Sequence, residues 1–354
     1  MTAVILHYDL RAPDGGTPVD HVYAEALRQC AWADKLGLHA VTLSCHHGVE
    51  DNYCPSELTF AAAAAALTEN IAFNVLVTVP FYNPIQLAEE LAVLDIISRG
   101  RAHMVGVAGY RTSEYAMFGV DPSRRGQLME EGIDTLKRAW AGEPFLYQGR
   151  EVMVRPRPYS KPRPTIVLGG DSKRAAERAA RIADGYISVP TFTPPPEPPA
   201  ENRVTMPTKD DGSFAAYVTA CQEIGKTPRT QLGQHTPCMY LQVAKNPDEM
   251  AERVGPYLLH VANSYAKWLE ASGGSASYVA ATDVNDLRAT GNFQIVTPDQ
   301  CIEIAHQYEE IMFDPLYGGI PPEIAWESLE LFRTHVLPEI ELDDRPGTVL
   351  REAN

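Results

Sequence analysis

Positive charge is scarce in this sequence. Thirty lysines and arginines stand against 46 aspartates and glutamates, a formal charge of -16, which offers no basic footprint for a phosphate backbone and is repelled by anionic membranes. No nucleic-acid or membrane partner is expected. Long apolar runs are lacking too. The longest, Phe60 to Leu67, is six-eighths alanine and far short of the roughly 18 residues that span a bilayer. The first eleven residues show no basic patch followed by an apolar stretch, so no signal peptide is expected and the expected compartment is the cytoplasm. The six cysteines (Cys30, Cys45, Cys54, Cys221, Cys238, Cys301) never take Cys-x-x-Cys spacing. That argues against a zinc knuckle and a disulfide framework, leaving free thiols. No His-x-His or His-Glu-x-x-His pattern occurs, so no metal site is expected.

What is present is an ordinary globular composition, 45% hydrophobic and 21% charged over 354 residues, enough for one closed barrel or two smaller domains. Strand-like and helix-like segments alternate. Val4 to Tyr8 is a short apolar run, and Thr17-Pro18 opens a helix that Gly37 closes. Leu38 to Leu43 resumes a strand, followed by a helix from Glu57 to Thr68, a β-branched strand from Ile71 to Val79, and a helix capped by Asn83-Pro84. His103 to Val107, Thr165 to Leu168, Tyr186 to Val189, Met239 to Val243, Phe293 to Val296 and Ile311 to Phe313 continue the strands. Helices are expected from Ser123 to Trp140, Ser172 to Ile182, Phe214 to Ile224, Pro247 to Arg253, Tyr257 to Glu270, Thr297 to Tyr308 and Pro322 to His335, and a hairpin at Gln148-Gly149. Such alternation implies a parallel sheet with crossover helices, open or closed as an eight-stranded barrel. Pro190 to Pro207 holds seven prolines, which reads as a lid over the barrel mouth or as a plain linker.

In a parallel barrel, chemistry collects where strands end. The strand Leu38 to Leu43 runs into Ser44-Cys45-His46-His47-Gly48, placing two imidazoles where one can titrate near neutrality as acid or base, or where one packs and the other is solvated. Adjacent histidines point to opposite faces, so a metal would need ligands from elsewhere. Gly169-Gly170-Asp171-Ser172, between strand and helix, suits a phosphate at a helix N-terminus, with Asp171 as the alternative helix cap. Gly106 to Arg111 lets a flat ring approach backbone. Tyr110 can stack or donate there, and Arg111 is expected to pair with Glu114 at the surface.

Taken in order, Cys45-His46-His47, Asn83-Pro84 through Ser98-Arg99-Gly100-Arg101, Gly109-Tyr110, Phe118-Gly119-Val120-Asp121, Gly169-Gly170-Asp171-Ser172, Gly318 to Glu323 and Ser328 to Phe332 resemble the luciferase-like flavin-dependent monooxygenases, which include bacterial luciferase. The resemblance implies an α/β fold, an eight-stranded (β/α)8 TIM barrel with insertions, spanning residues 1–354 as one domain with a variable lid region at 190–292. It implies a homodimer or higher oligomer that takes reduced FMN from a separate flavin reductase, meets molecular oxygen at the C-terminal mouth and oxygenates a small organic substrate. His46 then corresponds to the family's catalytic histidine, with His47 its neighbour. Gly169, Gly170, Asp171 and Ser172 correspond to phosphate-holding positions, Gly109 and Tyr110 to the ring's surroundings, and Val75, Leu76 and Val77 to a strand bulge behind the ring. Two positions depart: Cys45 stands where an acid commonly precedes the histidine pair, and Ala108 where luciferase carries a phosphate-binding arginine. Relatives using a deazaflavin usually show Asp-His, so His46-His47 favours FMN. A flavin-binding protein without turnover is a further alternative.

Overall fold

The computed structural model describes residues 1–188, 191–193, 206–210, 212–272, 278, 280–343 and 350–353. In chain order it runs β1 (Ala3–Tyr8), α1 (Val19–Lys35), β2 (Ala40–Leu43), α2 (Glu57–Ala66), β3 (Ala72–Thr78), α3 (Pro84–Ser98), β4 (Ala102–Val107), α4 (Thr112–Phe118), α5 (Arg125–Ala141), and the hairpin β5 (Phe145–Tyr147) and β6 (Arg150–Val152). Next come β7 (Ile166–Gly170), α6 (Lys173–Ile182), β8 (Gly185–Ser188), β9 (Thr191–Thr193), β10 (Thr208–Asp210), α7 (Gly212–Glu223), β11 (Arg229–Gln231) and β12 (Tyr240–Val243). The chain ends with α8 (Pro247–Ser272), α9 (Val284–Ala289), β13 (Phe293–Val296), α10 (Pro298–Gln307), β14 (Glu310–Phe313), α11 (Pro322–Leu331) and β15 (Leu350–Glu352).

The caps read from sequence form where the chemistry requires them. The Asn83 side chain accepts from the Ile85 and Gln86 N–H groups with Pro84 at the first helical position, and Thr297 and Gln300 form a reciprocal capping box. The main sheet orders its strands β14-β1-β2-β3-β4-β7-β8-β11-β15, and every neighbouring pair is parallel except β11 with β15. It is a curled, mostly parallel sheet. Its two ends are stitched by side chains: the Glu310 carboxylate on β14 accepts the backbone N–H groups of Gly233 and His235 just after β11. β12 and β13 pair with each other as a separate parallel ribbon.

Strand alternation sorts the side chains into two faces. Val4, Leu6, Tyr8, Val41, Leu43, Phe73, Val75 and Val77 lie in the large core between sheet and helices, whereas Ala3, Ile5, Ala40, Ala72 and Leu232 form a small inner cluster. His7, Ser44 and Leu76 share the inner parity, higher up toward the C-terminal strand ends.

Several expectations need correction. The β3–β4 ladder runs unbroken from Phe73–Ala102 to Thr78–Val107, so there is no bulge at residues 75–77. Val75 and Val77 are fully buried against the helices, and only the Leu76 side chain turns inward. The two helices expected between Pro247 and Glu270 are one 26-residue helix, Pro247–Ser272, containing Pro256, because packing on both sides of the proline outweighs the one lost hydrogen bond. The short α4, α9 and β11 carry too few residues to show a period. The Pro190 to Pro207 lid falls largely outside the described residues.

Candidate active site

Four side-chain groups converge at the C-terminal ends of β1 to β4. His46 follows β2 by three residues, and its Nδ1 sits 2.7 Å from a Glu114 carboxylate oxygen. Glu114 lies on α4, a helix entered through a left-handed turn at Gly109 (φ +79°), where a Cβ would come within 2.9 Å of the Thr78 methyl. Only glycine fits there. The same Glu114 oxygen accepts the His47 backbone N–H at 2.9 Å and Arg111 at 3.0 Å. Thus the acid absent at position 45 is delivered by Glu114, 68 residues downstream of His46. Arg111 does pair with Glu114, but buried inside the site rather than at the surface. Cys45 is buried, with its thiol directed at the Leu76 carbonyl and its pKa pushed well up by burial and the nearby Glu57.

Aromatic rings enclose His46. Tyr53 and Trp268 each lie 5.0 Å from its ring centre, Tyr110 5.5 Å and Tyr265 6.0 Å. Tyr265 and Trp268 come from α8, which therefore packs over the mouth, and Tyr265 stacks on Tyr278 at 4.4 Å. Arg11 is fully buried beneath this cage, its guanidinium over Tyr53, Tyr265 and Trp268, and pairs with Asp9 and Asp51. Sequence reasoning missed Arg11, Tyr53, Tyr265 and Trp268. Their convergence depends on tertiary contacts such as that of Arg11 with Trp268, 257 positions apart, and no local motif signals it.

The electrostatics define the state of the pair. Burial lowers the His46 pKa below its ordinary 6.5, outweighing the pull of Glu114, and the guanidinium groups of Arg111 and Arg11 push the same way. Burial would raise the Glu114 carboxyl, but the hydrogen bonds from His46 and His47 and the charge of Arg111 hold it below its usual range. The result is a neutral imidazole that donates Nδ1–H to a carboxylate and leaves Nε2 as an acceptor, 3.4 Å from the Tyr110 hydroxyl. His47 turns the other way. Its ring packs edge-on against Phe118 at 4.7 Å and faces Phe81, and its buried Nε2 has no hydrogen-bond partner among the described residues. The two histidines called together in sequence are thus separated: His46 brings a ring to the site, His47 a backbone N–H.

The remaining candidate positions form a wall and a rim. Gly169 faces inward, and a Cβ there would come within 3.0 Å of a Val107 methyl. The Gly170 carbonyl accepts the Tyr186 hydroxyl at 2.6 Å, and a Cβ on Gly170 would strike Ala175. Ser172, not Asp171, caps α6, accepting the Ala175 N–H; its hydroxyl proton stays available. Asp171 is exposed and, as an anion, can serve a phosphate only through its backbone. The wall of Leu76, Val107, Gly109 and Gly169 is bare of polar side chains and fits a flat heteroaromatic ring. The N-terminus of α6 with Ser172 and Gly170 fits a phosphate. Among the described residues no group of three or more His, Cys, Asp or Glu could hold a metal, and no helix is long and apolar enough to cross a membrane.

Residues 1–314 match the luciferase-like monooxygenase family. The chain belongs to that family. This membership makes it an oxidoreductase of the monooxygenase type. Among solved structures, the chain is similar to the monooxygenase RslO1 from Streptomyces bottropensis (22% identity, 95% of this chain and 99% of that one, TM-score 0.73). It also matches the oxygenating constituent of 3,6-diketocamphane monooxygenase from Pseudomonas putida in complex with FMN (18%, 98% and 100%, 0.70), and an F420-dependent secondary alcohol dehydrogenase in complex with an F420–acetone adduct (14%, 96% and 99%, 0.64). At these identities the likeness shows a shared fold.

Proposed function

We propose that this protein is the oxygenating component of a two-component flavin monooxygenase: a barrel closed in the manner of its family, using reduced FMN from a separate reductase and molecular oxygen to oxygenate a small organic substrate. The observation that carries this reading is the neutral His46, fixed by Glu114 and walled by four aromatic rings. Leu76, Val107, Gly109 and Gly169 would flank the ring of the cofactor, and Gly170, Ser172 and the first turn of α6 its phosphate. When bound, reduced flavin supplies two electrons for activating oxygen. The chain's own part is to exclude water and hold a proton acceptor in place. Tyr53, Tyr110, Tyr265 and Trp268 keep the space around His46 apolar, which protects a reactive site from hydrolysis. Glu114 fixes the His46 tautomer so that Nε2, not Nδ1, faces the mouth, where it can take a proton and return it. The exposed Val93, Ile96 and Ile97 on α3 support self-association as a homodimer or higher oligomer.

The acid–base pair also serves hydride transfer to or from a carbonyl, so a deazaflavin-dependent dehydrogenase is the second reading. Titrating the protein with FMN and with its deaza analogue separates them: saturable, tighter uptake of FMN is expected, and preference for the analogue would move the assignment. His46→Ala is expected to reduce substrate oxygenation by about 10²–10⁴-fold while FMN affinity is retained. Unchanged turnover would remove His46 from its role.

A further inference from the structure

A second imidazole stands at the mouth, apart from the His46–Glu114 pair. His7 lies on β1 with its Nδ1 hydrogen-bonded to a carboxylate oxygen of Asp314, which follows β14. Its other ring nitrogen, Nε2, is 2.5 Å from the hydroxyl of Ser44, which follows β2. The three residues occupy neighbouring strands in the order β14-β1-β2, so the ladder itself sets their spacing. Asp314 is buried, its second oxygen has no partner among the described residues, and Ser44 and His7 are half-buried, open toward the mouth. A hydroxyl on an imidazole that is oriented in turn by a buried carboxylate is the arrangement that activates a serine nucleophile, and it is recognised by geometry rather than by chain order.

We infer that Ser44, His7 and Asp314 form a flavin-independent acyl-transfer site for neutral aryl esters. The Ser44 oxygen attacks the ester carbonyl carbon as its proton passes to His7 Nε2. Asp314 holds the opposite N–H and stabilises the imidazolium. The carbonyl oxygen that becomes negative would lie next to the Tyr53 phenol, a close neighbour of Ser44. That phenol is kept protonated by burial and shares a 2.8 Å hydrogen bond with Tyr265. Collapse breaks the bond between carbonyl carbon and leaving oxygen, and the leaving alcohol takes the proton from Nε2. Water, deprotonated in turn by His7, then attacks the acyl carbon; the bond to the Ser44 oxygen breaks and that oxygen takes the proton back from Nε2, so ester and water give acid and alcohol. The aromatic walls supplied by Tyr53, Tyr265 and Trp268 favour a flat aryl group. The nearby acids Asp9, Asp51 and Glu114 are paired with Arg11 and Arg111, and a neutral ester leaves those pairs undisturbed.

The full chain, without added flavin, tests this directly with a fluorophosphonate probe and with p-nitrophenyl acetate. The probe is expected to leave its adduct on Ser44, located by peptide mass spectrometry in the unaltered protein. Ester hydrolysis is expected to fall by about 10³-fold or more in Ser44→Ala and in His7→Gln. Absence of an adduct, an adduct on another residue, or hydrolysis by Ser44→Ala at the parent rate would overturn the assignment. None of these readings depends on FMN uptake, so the result stands apart from that of the flavin titration.

Discussion

Two imidazole–carboxylate pairs sit within a few residues of each other at one end of the sheet, and their imidazole pKa values are displaced in opposite directions. His46 is held below 6.5 and His7 above it. For both, burial is the largest influence and disfavours the charged ring. The difference lies in what the carboxylate is doing. Glu114 divides its charge among His46, the His47 N–H and Arg111, and two guanidinium groups add their repulsion to His46. Asp314 has His7 as its hydrogen-bonded partner, and Asp9 adds a second negative charge close by, against a smaller opposing contribution from Arg11. A histidine beside an acid is therefore not a defined chemical object; the number of other donors that the acid serves decides which way the ring's pKa moves.

His103 gives the comparison its zero point, an imidazole with no acid at all. It lies on β4 with both ring nitrogens buried and unpartnered among the described residues, and burial alone takes its pKa to about 4. The unfolded chain takes up this proton near 6.5 and the folded one near 4. Stability is therefore complete above 6.5 and is lost as pH falls through that window, by about 3 kcal/mol from 2.5 units. Glu57 opposes it. Burial raises its carboxyl to about 7 from 4.5, so the contribution of Glu57 is present at low pH and is lost as pH rises toward 7. The two windows overlap and partly cancel in the parent protein. His103→Leu is expected to remove the first and leave the second, so urea midpoints measured from pH 7 to pH 4 should rise on acidification relative to the parent. Parallel curves for the two proteins would mean that His103 finds a partner when the chain is folded.

How much of this was legible beforehand follows the range of the interactions. Strand–helix alternation, the caps at Asn83 and Thr297 and the place of His46 at a strand end are local, carried by a handful of neighbouring residues, and the sequence shows them. Glu114 was readable only as the partner of Arg111, because α4 is seven residues long and its approach to His46 depends on the turn at Gly109. Tyr265 and Trp268 were hidden inside a helix that Pro256 seemed to cut in two. Val75 and Val77 were assigned to the site from family likeness, yet strand parity sends both to the helix side and leaves Leu76 alone facing inward. His7 and Asp314 are separated by 307 positions and become neighbours only because β14 pairs with β1.

Removing the acid of the second pair should invert its titration. Asp314→Asn keeps the shape of the side chain and one acceptor but deletes the charge, leaving burial to dominate His7. Its midpoint is expected to move from above 6.5 to below it. The ring proton resonances in a histidine-labelled sample would report it. In the parent, His7 adds stability that is fully present below 6.5 and disappears as pH rises through its folded pKa. The variant should lose that acid-side contribution. A midpoint that stays above 6.5 would shift the credit from Asp314 to Asp9.

The smallest effect is expected at Arg111, and it bears most directly on why the two pairs differ. Arg111 acts on His46 twice: its charge repels a proton on the ring, and its hydrogen bond occupies the Glu114 oxygen that His46 also uses. Arg111→Met removes both effects while keeping a long apolar stem under Trp268, over which the guanidinium lies at 4.2 Å. The His46 midpoint should rise toward 6.5 without reaching it, since burial remains the largest influence. The His7 midpoint should not follow, because Arg111 is not among the groups acting on it. If the His46 midpoint fell instead, Arg111 would be holding Glu114 in place rather than competing for it. The contrast between the pairs would then rest on the position of the acid and not on the sharing of its charge.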